Sequence, residues 1–147
     1  MARHARSGRL VWIGVRPERR AVMQTLSECD VTPSGLEGDH ARAGKRAVTL
    51  LQSEHLPVIA ALSARDCVTA PMLRRNLVIE GLNLAALRKS SIRIGAVTLQ
   101  IEGPCPPCSR MEEILGPGGY SAVRGHGGWY ASVLSPGTIT LGDTACP

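Results

Sequence analysis

Sixteen glycines and ten prolines divide this 147-residue chain into apolar runs that are short and mostly β-branched. Such runs, bounded by turn signals, suit strands and leave little room for long helices. Leu10 to Val15 predicts a strand ending near Arg16-Pro17, and Ala21 to Val31 a weaker second one. Thr32-Pro33-Ser34-Gly35 is a turn, and Gly35 to His40 continues as a loop. Ala47 to Leu51 is a strand, followed by a helix from Ser53 to Leu62 with Ser53 as its cap. Met72 to Arg75 forms a helical turn, Leu77 to Glu80 a buried strand and Leu84 to Leu87 another turn. Ser91 to Ile101 alternates in hydrophobicity except at Gly95-Ala96, where a bulge or tight turn rephases the faces. Trp129 to Leu134 and Thr138 to Leu141 flank Ser135-Pro136-Gly137 as an expected hairpin. Many short strands with only short helices argue for a mainly β fold, a closed β-barrel in one domain spanning residues 1–147. Strands never alternate with long helices, which argues against a parallel α/β sheet.

The chain has no Phe, so its core has to be built from Val, Ile, Leu and Ala. Its net charge of +5 is almost entirely arginine, with fifteen Arg beside Lys45 and Lys89. The planar guanidinium fork matches phosphate and carboxylate, so an anionic ligand is expected. Nucleic acid is not, because the arginines are scattered and aromatics for base stacking are scarce. Five cysteines, an odd number with one close pair, form no secreted disulfide framework. Leu10 to Val15 is too short for a signal sequence, and Leu56 to Leu62 is too short to span a bilayer. A reducing, cytoplasmic setting with no membrane contact is the expectation.

Cys108 is the residue best placed for chemistry. It closes Cys105-Pro-Pro-Cys108, and Ser109-Arg-Met-Glu112 reads as a capping box that starts a helix. A cysteine just ahead of a helix meets free N–H groups and the positive end of the macrodipole, which favour a thiolate. The pair leaves several readings open. It could be a redox dithiol, part of a zinc site with distant Cys146 or His126, or two inert buried thiols. It could also present one working thiolate, Cys108, that binds a thiophilic metal or carries sulfane sulfur, with Cys105 as neighbour or resolving partner.

Three further segments carry candidate residues. Arg74-Arg75-Asn76, ahead of a buried strand, offers two guanidinium groups and an amide to an oxyanion. Arg124-Gly-His126-Gly-Gly128 permits positive φ and close approach of backbone N–H groups to a ligand. Gly35 to His40, with Arg42, Lys45 and Arg46 behind it, is a second glycine-and-base loop.

Taken in order, these segments resemble the MOSC domain, named for the C-terminal part of molybdenum cofactor sulfurase. The resemblance rests on Gly35-Leu-Glu-Gly-Asp39-His40, Arg46-Ala-Val-Thr-Leu50, Arg74-Arg-Asn-Leu-Val-Ile-Glu-Gly81 and Arg93-Ile-Gly95. It continues through Gly103-Pro-Cys-Pro-Pro-Cys108, Arg124-Gly-His-Gly-Gly128 and Gly137-Thr-Ile-Thr-Leu-Gly-Asp143, and covers about residues 9–144. It implies a β-rich barrel with a site for the molybdenum cofactor (molybdopterin), in which Cys108 is the metal ligand or handles sulfur. It also implies that Arg74 and Asn76 contact the anionic pterin. The usual Gly-Asp-Arg-His order reads here Gly38-Asp39-His40-Ala41-Arg42, so His40 and Arg42 both remain candidates for a basic contact. The implied activities are reduction of N-hydroxylated compounds with electrons from a separate redox protein, persulfide carriage on Cys108 fed by a sulfur donor, or cofactor binding without turnover. No lysine sits in a recognisable pyridoxal-phosphate site, so no such cofactor is expected.

Overall fold

The structure, a computed structural model, describes residues 3–41 and 43–147. Seven strands close a barrel. β1 (Gly8–Val15) pairs with β6 (Leu77–Glu80), and the order continues through β5 (Val48–Gln52), β9 (Trp129–Ser135), β8 (Val97–Pro104), β7 (Ser91–Ile94) and β11 (Thr144–Cys146). Closure comes from β11 returning to β1 through Gly8↔Ala145 and Arg9↔Thr144. β2 (Gln24–Leu26) extends from β1, while β10 (Gly137–Thr140), β3 (Glu28–Thr32) and β4 (Gly35–Leu36) form a separate small sheet. The mainly β barrel expected from the punctuation is the observed fold.

Pairing is antiparallel except between β5 and β6, whose crossover carries α1 (His55–Leu62) and α2 (Ala70–Leu73). Alternation along these two strands divides the core. Leu50, Leu77 and Ile79 enter the barrel interior, whereas Leu51 and Val78 pack outside it. The outer layer is covered by Ile59 of α1, Leu73 of α2, Met111 of α3 (Ser109–Leu115) and Val123 of α4 (Gly119–Val123). Burial on both faces explains why β5 and β6 are nearly continuous apolar runs. Each fully buried Leu or Ile contributes roughly 1.5–3 kcal/mol.

Three local expectations are corrected, and one open alternative is decided. The expected Trp129–Leu141 hairpin does not form: β8 and β5 occupy both edges of β9, so β10 pairs with β3 instead. The single strand expected over residues 21–31 breaks at Ser27 into β2 and β3, which have different partners. The helix begins at His55 rather than after a Ser53 cap, and the Glu54 carboxylate accepts from Gln52 Nε2 and Gly81 N–H. Of the two alternatives at Gly95-Ala96 the tight turn is the observed one, a two-residue connection between β7 and β8 with Ile94 paired to Val97.

Strand register brings one end of the barrel to a focus. Ile13 lies opposite Leu77, Leu77 beside Leu50, Leu50 opposite Trp129 and Trp129 opposite Pro104. The segments after β1, before β6 and after β8 therefore emerge together.

Candidate functional site

A cavity of about 250 Å³ opens among these three segments. Arg16, Arg19 and Arg20 reach it from the loop after β1, Arg74 and Arg75 from the loop before β6, and Arg110 from α3. His40 and Cys108 also line it. Among the described residues, two acids pair with these arginines. Asp39 Oδ1 accepts from the Arg16 backbone N–H at 2.7 Å and lies 3.9 Å from Arg16 Nε. Glu113 Oε2 stands 3.7 Å from Arg110 Nη1 and 4.0 Å from Arg20 Nη1.

Arg16 Nε, Arg74 Nη2 and Arg110 Nε are buried without a hydrogen-bond partner, as is Asp39 Oδ2. A buried donor left unpaired costs about 1–3 kcal/mol, and more when it is charged. Three such donors around one cavity suit an oxyanion of the phosphate or carboxylate class. The residues present therefore fit the anionic portion of a phosphate-bearing pterin.

Arg74 concentrates the strain. It sits at the C-terminus of α2 with φ 58° and ψ 33°, a left-handed conformation that costs about 1–2 kcal/mol for a residue with a Cβ. Burial disfavours its charged form, and Arg16, Arg110 and Arg20 add repulsion that Asp39 opposes. Backbone and charge strain meet at this one residue, a combination that clusters at functional sites. Arg74→Gly relieves both, so ligand-free protein should gain about 1–2 kcal/mol while losing affinity for phosphate. Thermal unfolding and calorimetric titration of the same sample check the two signs.

The two cysteines of the loop part company. Cys108 is exposed at the N-cap of α3 with extended backbone (φ −132°, ψ 163°), and its carbonyl accepts from Met111 N–H at 2.9 Å. Cys105 is buried, donates its N–H to Gly128 O at 2.8 Å, and does not line the cavity. Burial lifts its thiol above the ordinary range, with Arg75, Arg46 and Arg16 opposing. The expected capping box is corrected: Ser109 is the first residue of α3, not its cap. Glu112 turns instead to Gly118 N–H (3.1 Å) and Tyr120 N–H (2.9 Å), because the start of α4 offers free donors nearby.

Of the other sequence candidates, Arg74 and His40 are at the cavity, and His40 N–H donates to Arg16 O at 2.6 Å. Arg42 lies outside the described residues. Asn76, Arg124, His126 and Gly128 do not line the cavity. The buried Asn76 amide is committed to Thr49 and Gly14, and the Arg124 guanidinium lies 5.6 Å over the Tyr120 ring. The glycine-rich turn acts from behind: Gly127 O accepts from Arg75 Nε at 2.7 Å, and Gly128 O holds Cys105. Among the described residues, no three His, Cys, Asp or Glu side chains gather as a metal-binding group, and no helix is long and apolar enough to cross a membrane.

His126 packs edge-on against His55, with ring centroids 5.5 Å apart. Burial, then His126, hold the His55 imidazole below its ordinary range, while Glu54 opposes. A depressed folded-state pKa contributes stability that is present above the unfolded value, about 6.5, and lost as pH falls through the folded one. His55→Gln should flatten that acid-side loss in unfolding midpoints taken between about pH 7 and 5.

Sequence reasoning missed Arg16, Arg19, Arg20 and Arg110 as lining residues. The available signal was the basic run immediately after the β1 segment, on a strand whose end lies beside the start of β6.

A family model for the MOSC domain matches residues 37–145. Among solved structures, the YuaD protein from Bacillus subtilis superposes with a TM-score of 0.83 at 17% identity, covering 95% of this chain and 94% of that one. YiiM from Geobacillus stearothermophilus gives 0.77 at 21% identity over 94% and 73% of the two chains. YiiM from Escherichia coli gives 0.73 at 22% over 93% and 68%. These likenesses show a shared fold. Among curated proteins, no match to the sequence was found.

Proposed function

The chain belongs to the MOSC domain family, and on that footing we propose that its cavity holds the phosphate-bearing pterin of the molybdenum cofactor, with Cys108 as the protein ligand to the metal. One observation carries the reading: an exposed thiol shares a cavity with three guanidinium groups whose buried N–H donors have no partner. Arg74, Arg16 and Arg110 would hold the anionic portion, and His40 would add a basic contact at the same cavity. When bound, the cofactor would supply two-electron redox chemistry of the kind that reduction of an N-hydroxylated compound requires. Cys108 contributes a soft thiolate, the ligand type that thiophilic metals select. Its exposed sulfur leaves room for a substrate, and electrons come from a separate redox protein.

The test is metal analysis and native mass spectrometry of protein made in a cofactor-competent host. Stoichiometric molybdenum that disappears in Cys108→Ala is the expected result; wild-type protein without molybdenum sinks the reading. A second reading, sulfur carriage, is favoured by exposure of the Cys108 sulfur beside cationic groups. A mass gain of one sulfur on Cys108 after incubation with a cysteine desulfurase, with no molybdenum bound, selects it.

A further inference from the structure

We propose that the cavity accommodates two phosphate-class anions at once, with Arg19 and Arg20 serving the second. The proposal deepens the cofactor reading, which accounts for one anion only.

The first argument is charge. Six arginines line the cavity, and among the described residues Asp39 and Glu113 are the acids paired with them. Glu113 is shared between Arg20 and Arg110, so four positive charges remain uncompensated. A phosphate monoester carries about −1.5 to −2 near neutral pH, which leaves two arginines without a counter-charge.

The second argument is placement. Arg16, Arg74 and Arg110 carry the buried unpartnered donors, whereas Arg19 and Arg20 are exposed on the loop after β1. Arg20 is also held left-handed, at φ 65°, so it shares with Arg74 a backbone cost borne at this cavity. Arg20 Nη1 and Arg110 Nη1 lie 4.0 Å and 3.7 Å from the same Glu113 oxygen, so the outer guanidinium stands near the inner set. That proximity suits two adjacent anionic groups, as in a diphosphate, or a phosphate beside an acidic substrate.

Calorimetric titration of cofactor-free protein with inorganic phosphate and with pyrophosphate tests the idea. Pyrophosphate should bind at least about tenfold more tightly, the equivalent of one further charge-assisted hydrogen bond. The Arg19→Gln/Arg20→Gln double variant should lose that advantage and keep its phosphate affinity. Arg74→Gln should weaken both ligands, and Glu113→Gln, which frees Arg20 and Arg110, should tighten pyrophosphate. The exposed double variant should unfold at the wild-type temperature, so a loss of binding is not a loss of fold. Equal wild-type affinities for the two anions, or a double variant that weakens both alike, would overturn the proposal. Pyrophosphate preference in a protein that takes up no molybdenum keeps the two-anion cavity and sinks only the cofactor reading. Where molybdenum is taken up, the mass of the released pterin identifies the source. A nucleotide-extended diphosphate puts both anions on the cofactor, and a monophosphate assigns the second to the substrate; both outcomes support the proposal.

Discussion

Asn76→Ala is expected to destabilise the protein by about 4 kcal/mol, the sum of several stranded polar groups each costing about 1–3. Asn76 Oδ1 accepts from Thr49 N–H at 3.0 Å and from Thr49 Oγ1 at 3.2 Å, and its Nδ2 donates to Gly14 O at 3.1 Å. Its backbone N–H and C=O bond Thr49 and Gly14 as well. One side chain thus ties together β1, β5 and β6 where the arginine-bearing loops leave the barrel. Alanine strands Thr49 N–H and Gly14 O and takes from Thr49 Oγ1 the acceptor of its hydroxyl, leaving it only the Asn76 backbone N–H. In urea the midpoint should fall with an unchanged slope, and the melting temperature should drop by roughly 10 °C. Asn76→Asp keeps the acceptor but loses the donor and buries a charge, so it should fare no better. A loss below about 1 kcal/mol for Asn76→Ala would mean that this clamp carries little.

Gly128→Ala should cost at least as much, for a steric reason. Gly128 has φ +93°, and a Cβ there would stand 2.1 Å from Leu50 O and 3.1 Å from Leu50 C. Those are backbone atoms of β5 inside the closed barrel, so they have no flexible end to swing away. The left-handed conformation adds about 1–2 kcal/mol for any residue with a Cβ. Because Gly128 O also holds the Cys105 N–H, the displacement should reach the Cys105–Cys108 loop and weaken phosphate binding. Gly125→Ala is the control. Its φ is +84° but nothing lies within 4 Å of the added carbon, so the loss should be only about 1 kcal/mol. Equal melting temperatures for the two variants would refute the steric argument.

The barrel was legible because glycine and proline spacing limits run length, and because Leu50/Leu51 and Ile79/Val78 are buried on opposite faces. Cys108, Arg74 and His40 were legible because each stands beside a turn signal that marks where the chain leaves a strand or enters a helix. The β9–β10 hairpin was misread because pairing depends on whether an edge is free, and β9 has none. The capping box failed on competition, since the Glu112 carboxylate accepts from two backbone N–H groups at the start of α4 instead of reaching back to the start of its own helix. Asn76 carries the same amide whether it faces a ligand or a strand end, so residue type alone could not separate the roles. Arg16, Arg19 and Arg20 join Arg74 only through the antiparallel register of β1 and β6, which no local stretch encodes.

Arg16 has a consequence beyond charge. Its backbone N–H is held by Asp39 and its carbonyl by His40 N–H, both in the loop that follows β4. The three-stranded sheet is stitched through that loop to one of the guanidinium groups of the cavity. The small sheet and the arginine cluster thus share one short path, with Arg16 anchored at both its main-chain polar groups by residues three and four positions beyond the end of β4.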